Sequence, residues 1–281
     1  MAASFKAACL QLNAGREIEP NIRTASDLVR RARVAGADFI MTPEVSDMLE
    51  PRRGLRLEKA KDEASHPMLA AFRDLARETG AHLLLGSIVI RLAGEERLAN
   101  RSFLITPDGG AILARYDKIH MFDVDLPGGE SYRESAAFRP GEAAVLAALP
   151  WGTLGLTVCY DLRFPHLFRS LAQAGADFLS IPSAFTVPTG EAHWHVLLRT
   201  RAIENGCFVF APAQWGEHAE GRRTYGHSLI VAPWGEILAE AEPGVGFIVA
   251  EIDPERIAQA RRAVPSLGHD RRFNQPQPGT P

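Results

Sequence analysis

The chain has 281 residues, of which 46% are hydrophobic and 23% charged, and a formal net charge of −3. That length admits one large domain or two ordinary ones, and the charge argues against a nucleic-acid partner. Basic pairs such as Arg30-Arg31 and Arg222-Arg223 are scattered among acids and read as solvated surface. The three cysteines, Cys9, Cys159 and Cys207, are too few and too widely spaced for a disulfide framework and point to a reducing compartment. The N-terminus lacks the charged start and apolar core of a signal peptide, and no apolar run approaches membrane-spanning length. A cytoplasmic protein with no membrane partner is expected.

In chain order, hydrophobic periodicity predicts a strand over 5–12, a helix over 21–34, a strand over 39–42 and a helix over 67–78. Three strands follow, over 82–90, 101–106 and 111–116, the last two joined by the turn Pro107-Asp108-Gly109-Gly110. From 118 to 141 the periodicity disappears, and a loop of that length in a compact domain is usually functional. The second half gives strands over 144–149 and 153–159, a helix over 165–174, a strand over 178–182, a helix over 191–205 and a strand over 207–211. Strands over 225–232, 236–241 and 246–252 and a helix over 254–262 complete the globular part, 1–273, which reads as one domain. The polar, proline-rich tail 274–281 is expected to be disordered.

The two halves echo each other. AGADFIMTP at 35–43 returns as AGADFLSIP at 174–182, and SFLITPDG at 102–109 parallels SLIVAPWG at 228–235; both of the latter run on into ILA. Two matches in the same order indicate a duplicated strand–helix unit. Each unit is a sheet with an open face to cover, and two can stack sheet on sheet with helices outside. The predicted fold is therefore α/β, a four-layer αββα sandwich with an internal pseudo-twofold duplication.

The stretch LGLTVCYDLRFP at 154–165 places Cys159 where a strand turns into a helix begun by Pro165. A thiol at such a turn projects from the sheet beside backbone N–H groups, as at other nucleophile elbows; the alternative is a buried cysteine acting as a small hydrophobe. Glu44 follows the strand over 39–42, on the rim where α/β scaffolds carry ligands. Its counterpart in the internal repeat is Ser183, so the scaffold itself does not require a carboxylate there, which favours a functional carboxylate over a helix-capping or surface acid. Lys118 and Glu134, in the long loop, are each open to reading as solvated charges. Metal and cofactor motifs are missing: there is no Cys-x-x-Cys, His-Glu-x-x-His, phosphate loop or dinucleotide fingerprint. His193 and His195, two apart on a helix, point to different sides. Neither a metal nor a cofactor is expected.

Three motifs, PE at 43–44, YDKIHMFD at 116–123 and CYDLRFP at 159–165, together resemble the nitrilase superfamily of carbon–nitrogen hydrolases, in the family's order and over residues 5–273. The resemblance implies the duplicated αββα sandwich and a Glu-Lys-Cys triad of Glu44, Lys118 and Cys159. It implies Glu44 as general base, Lys118 with the backbone N–H of Tyr160 as oxyanion donors, and Glu134 as the second glutamate. CYDLRFP, the segment 185–216 and YGHS at 225–228 are most similar to the branch acting on deaminated glutathione, and next to that acting on α-ketoglutaramate. A small-molecule amide of a keto acid is the implied substrate; a catalytically silent scaffold or an acyltransferase are the other readings. A keto acid needs a cation for its carboxylate, and Arg163 is the candidate, with bracing of the loop as its alternative. Phe185, Thr186 and Thr189, beyond the strand over 178–182, share that rim. The segment PSLGHDRRF at 265–273 resembles one by which family members pack against a partner subunit, so a homodimer or higher homo-oligomer is expected.

Overall fold

The computed structural model describes residues 3–126 and 129–274. The first half contributes β1 (Phe5–Leu12), α1 (Ile18–Val34), β2 (Phe39–Met41), α2 (Arg53–Lys59), α3 (Pro67–Thr79), β3 (His82–Arg91), β4 (Leu98–Ile105) and β5 (Ile112–Asp117). A hairpin, β6 (Asp123–Asp125) with β7 (Ser131–Arg133), leads to the second half, which opens with β8 (Val145–Leu149) and β9 (Gly152–Leu156). Then come α4 (Pro165–Gln173), β10 (Phe178–Ser180), α5 (Val187–Asn205), β11 (Phe208–Ala211), β12 (Ala213–Glu217) and β13 (Arg223–Tyr225). The chain closes with β14 (Leu229–Val231), β15 (Ile237–Glu240), β16 (Gly246–Ile252) and α6 (Glu255–Ala263).

The duplication is visible in the strand pairing. One sheet runs β16-β1-β2-β3-β4-β5 and the other β8-β9-β10-β11-β14-β15, and each reads antiparallel, parallel, parallel, antiparallel, antiparallel. The repeated AGADF segments are equivalent in the two sheets, leading into β2 and β10. Strand β16, the last of the chain, completes the sheet built by the first half, so the halves are interlocked rather than merely stacked. Strands β12 and β13 extend the first sheet beyond the carboxyl end of β1.

Alternation along the strands explains the layers. Ala7 and Cys9 of β1, Phe39 and Met41 of β2, and Leu84 of β3 face the second sheet and share a core with Phe178, Phe208 and Phe210. Their neighbours Ala8, Leu10, Ile40, Leu83 and Leu85 face outward onto α1 and α3, through Leu28, Val29, Met68, Phe72 and Leu75. The period of two on the strands thus meets the helical period of the covering layer. Edge-on rings join the sheets: Phe39 with Phe210 at 5.9 Å and Phe5 with Phe178 at 5.5 Å. Each such side chain, fully buried, stabilises the fold by roughly 1.5–3 kcal/mol.

Several elements depart from the sequence reading. The strand expected over 225–232 is broken, because Gly226 and His227 adopt left-handed φ values of +73° and +53° and divide it between two sheets. The segment 118–141 is not structureless; it holds the β6–β7 hairpin and a 3-10 turn at Glu134–Ala136. Helix α2, and strands β12 and β13, have no clear periodicity and were not foreseen. Helix α5 begins at Val187, with a proline in its first turn, rather than at 191. The segment 265–273 folds back on its own chain: Arg169 donates to the Ser266 carbonyl at 2.9 Å and Gln173 to that of Leu267 at 3.3 Å. From residue 275 on, the tail lies outside the described residues.

Candidate active site

Strand ends of both sheets meet at one cavity of about 340 Å³. Glu44 stands just beyond β2, and its backbone is fixed by the neighbouring turn. Val45 takes a left-handed φ of +46°, unusual for a β-branched residue, and its N–H donates to Ser87 Oγ at 2.9 Å. Ser46 Oγ donates back to the Pro43 carbonyl at 2.7 Å. Lys118 follows β5 directly and is 2% exposed. Its Nζ lies 2.8 Å from Glu44 Oε1 and 3.0 and 2.8 Å from the two oxygens of Glu134. Glu134, on the 3-10 turn, also accepts the Phe122 N–H at 2.6 Å.

Cys159 opens a 3-10 turn, Cys159–Arg163, with a left-handed φ of +50°. A non-glycine residue there costs roughly 1–3 kcal/mol and persists only where its surroundings hold it. They do so here: Cys159 N–H donates to the Pro182 carbonyl at 2.9 Å, and Asp161 reaches back to accept the Val158 N–H at 2.8 Å. The fully buried Asp161 also accepts the Tyr116 hydroxyl at 2.6 Å and the His120 N–H at 3.0 Å, tying the turn to the strand that leads into Lys118.

These groups set one another's protonation. Burial pushes the Glu44 carboxyl up, but the Lys118 ammonium, with hydrogen bonds from Lys118 and from the Cys159 thiol, outweighs it and holds Glu44 below the usual range. Burial would lower Lys118, yet Glu134 and Glu44 beside it raise it well above its ordinary value. Burial and then the Glu44 carboxylate push the Cys159 thiol well up, against the pull of Lys118 and the Ala184 N–H. The resting state is therefore a carboxylate and an ammonium in hydrogen-bond contact, with a neutral thiol on the same cavity.

Tyr160, Arg163, Phe185, Thr186 and Thr189 line the same cavity as Glu44, Lys118, Glu134 and Cys159, so all nine residues proposed for the site border one cavity. Arg163 lies 5.4 Å above the Phe185 ring, with Nη1 3.3 Å from His193 Nδ1. The Thr186 and Thr189 hydroxyls are paired at 2.9 Å. The sequence reading missed four contributors. Asn100 Nδ2 bridges Glu44 at 2.9 Å and Glu134 at 3.3 Å, and Gln214 Nε2 holds the Glu44 carbonyl at 2.9 Å. The Ala184 N–H faces the thiol, and Arg222 lines the wall within electrostatic reach of Glu44. Nothing in their local sequence marks them; each arrives from a strand or turn distant in the chain.

The carbon–nitrogen hydrolase family model matches residues 6–262. The chain is a carbon–nitrogen hydrolase. Among such hydrolases it is similar to the deaminated glutathione amidase of Synechocystis, 41% identical over 94% of this chain and 97% of the relative. It is likewise similar to the Homo sapiens protein of that name, 39% identical over 94% of this chain and 81% of the relative. Among solved structures, the C. elegans NitFhit protein superposes with a TM-score of 0.90 at 35% identity, covering 96% of this hydrolase, which spans 66% of that longer chain. Saccharomyces cerevisiae Nit3, described as a member of branch 10 of the nitrilase superfamily, gives 0.85 at 30% identity, covering 96% of this chain and 97% of its own. Among the described residues, no helix of this hydrolase is long and apolar enough to cross a membrane.

Proposed function

We propose that this hydrolase is a cysteine amidase whose substrate is deaminated glutathione, the amide in which the γ-glutamyl amino group has become a keto group. Glu44 takes the Sγ proton as Cys159 attacks the amide carbonyl. The Lys118 ammonium and the Tyr160 N–H receive the oxyanion; losing one such donor typically costs about 3 kcal/mol. Glu44 then passes its proton to the leaving nitrogen, releasing cysteinylglycine and leaving a thioester. A water deprotonated by the same carboxylate hydrolyses the thioester to α-ketoglutarate and restores the thiol. Glu134 holds Lys118 in place and transfers no proton.

The observation that carries this reading is the Lys118 ammonium shared by Glu44 and Glu134 on the cavity that Cys159 also lines. Its size falls in the range of small-molecule sites, about 300–1,000 Å³. Glu44 and Glu134 are occupied by Lys118, whereas Arg53, Arg56, Arg133, Arg163 and Arg222 also line the wall, which suits a substrate carrying carboxylates. Relatives at 39–41% identity bearing the amidase name support the substrate.

The test is a side-by-side comparison of kcat/KM for deaminated glutathione, α-ketoglutaramate, a simple nitrile and an N-carbamoyl compound. Deaminated glutathione should rank first; a higher value for α-ketoglutaramate would make the protein an ω-amidase, and no turnover of any would leave a binding module. Arg163→Ala should raise KM for keto-acid amides well beyond its effect on neutral amides, and an equal effect on both would make the arginine structural. We also take residues 1–273 as one hydrolase domain and the protein as a cytoplasmic homodimer or larger homo-oligomer. The exposed Val196 and Ile203 of α5, with Trp234 and Val264 nearby around a second cavity, support the assembly, which light scattering would measure.

A further inference from the structure

Away from the catalytic cavity, three side chains converge from three elements: His195 of α5, His227 in the break between β13 and β14, and Glu240 at the end of β15. His195 Nε2 and His227 Nδ1 stand 2.9 and 2.7 Å from the same atom, Glu240 Oε1, and the three donor atoms lie within 4.8 Å of one another. We propose that this cluster is a binding site for a divalent transition-metal ion of the zinc type. Two imidazoles and a carboxylate are borderline donors that suit zinc, whereas calcium and magnesium want oxygen throughout. Ligand atoms around a tetrahedral zinc are about 3.4 Å apart, as its bond lengths of ~2.0–2.2 Å require, so each imidazole must draw back from Glu240 Oε1 by only about 0.5–0.7 Å.

The frame is already rigid. His227 holds a left-handed φ of +53°, its carbonyl accepts the Trp194 Nε1–H at 2.7 Å, and its ring stacks on Tyr225 at 4.4 Å. Glu240 is set by the pairing of β15 with β14 and by the next residue, Ala241, whose N–H donates to the Ser228 carbonyl at 2.9 Å. The side chains are about a third exposed, at 31%, 30% and 35%, so an ion has access while three protein ligands leave a coordination position to water. Both ligands that partner His195 lie far along the chain, which is why the sequence, where only His193 is near, gave no sign of the site. An ion there would clamp α5 to the β14–β15 hairpin. Six residues before His195, in its first turn, α5 carries Thr189 of the catalytic cavity, so the clamp would brace that wall without touching substrate.

The experiment is calorimetric titration of metal-stripped protein with zinc chloride, in a Cys159→Ala background that removes the catalytic thiol as a competing ligand. One equivalent should bind with micromolar or tighter affinity. His195→Gln, Glu240→Gln and His227→Asn should each weaken it about tenfold or more, the least expected for losing a direct ligand when outer-sphere partners alone cost that much. Asparagine is chosen at 227 because it tolerates the left-handed backbone, and the thermal midpoint in chelator reports that each variant is folded. Zinc should raise that midpoint in the parent and not in His195→Gln, while changing an exposed histidine outside the cluster, His166→Gln on α4, should leave binding as in the parent. No binding up to about 100 µM zinc, weaker than a specific site would show, overturns the proposal. So does equal binding by His195→Gln and Glu240→Gln. Because the background is already inactive, either result is independent of the amidase reading.

Discussion

Tyr116 and Asp161 join the two halves of the site: the phenol of the last buried residue of β5 donates to the aspartate of the cysteine turn at 2.6 Å. Lys118 lies two residues beyond one partner and Cys159 two residues before the other, so this bond sets the spacing of ammonium and thiol. Its own burial, and then the Asp161 carboxylate beside it, drive the Tyr116 hydroxyl far above its ordinary pKa, keeping it a donor throughout the working range.

Tyr116→Phe should therefore lower kcat more than it raises KM. It should cost about 1.5–3 kcal/mol of stability, the usual worth of a hydrogen bond to a charged group. Asp161→Ala should be worse, because the Val158 N–H and Tyr116 hydroxyl are left buried without a partner. Urea unfolding together with steady-state kinetics on both variants checks this; a Tyr116→Phe enzyme with unaltered kcat would remove the positioning role.

The Cys159 thiol is held neutral, so its reactivity should follow Glu44 rather than its own ionisation. The rate of alkylation by a small neutral reagent should show no inflection near pH 8.5, where an ordinary thiol ionises. Glu44→Gln should slow it about a hundredfold or more, the lower end of what a general base contributes. The acid limb of kcat/KM should fall below the ordinary carboxylate pKa of 4.5, because the folded protein lowers that of Glu44. Cys9 and Cys207 are fully buried, and burial raises Cys207 to about 11, so both should stay unlabelled while the protein is folded. Cys159→Ala should abolish turnover and leave the thermal midpoint nearly unchanged, since Ala and Cys bear the same left-handed strain.

Gly86 in β3 packs against the turn that carries Glu44. A Cβ there would lie 1.9 Å from the Thr42 carbonyl oxygen and 2.6 Å from that of Pro43, both backbone atoms with no room to retreat. Gly86→Ala should displace the carboxylate and cost both stability, by about 1–3 kcal/mol or more as for an overpacked core site, and most of the activity. Thermal melts and kcat/KM report it, and a wild-type-like variant would show the turn to be pliable.

His218 supplies a pH dependence of stability. Burial lowers its pKa from 6.5 to about 4, although its ring contacts the Ala14 carbonyl at 3.0 Å and Thr224 Oγ1 at 2.7 Å. The unfolded chain takes up the proton first, so the contribution is complete above 6.5 and is lost as pH falls towards 4. Between pH 7.5 and 5 the loss is about 2 kcal/mol. Urea unfolding at those two pH values should show a smaller difference for His218→Gln; an unchanged difference would place the titration elsewhere.

The sequence by itself determined the sandwich, because buried strands and amphipathic helices write their periods locally and a duplicated unit writes them twice. It also picked out Glu44, Lys118, Glu134 and Cys159, since a motif keeps its residues together in the chain. What it could not determine were Asn100 between the two carboxylates, Gln214 behind Glu44, Arg222 on the wall, and the meeting of His195 with His227 and Glu240. Those relationships join residues whose separation in the chain carries no signal, and only the register of the strands and the stacking of the two sheets brings them within hydrogen-bond reach. The short strands β12 and β13 and the break at Gly226-His227 belong with them. Their conformation follows from the neighbour they pair with across the molecule rather than from any alternation of their own.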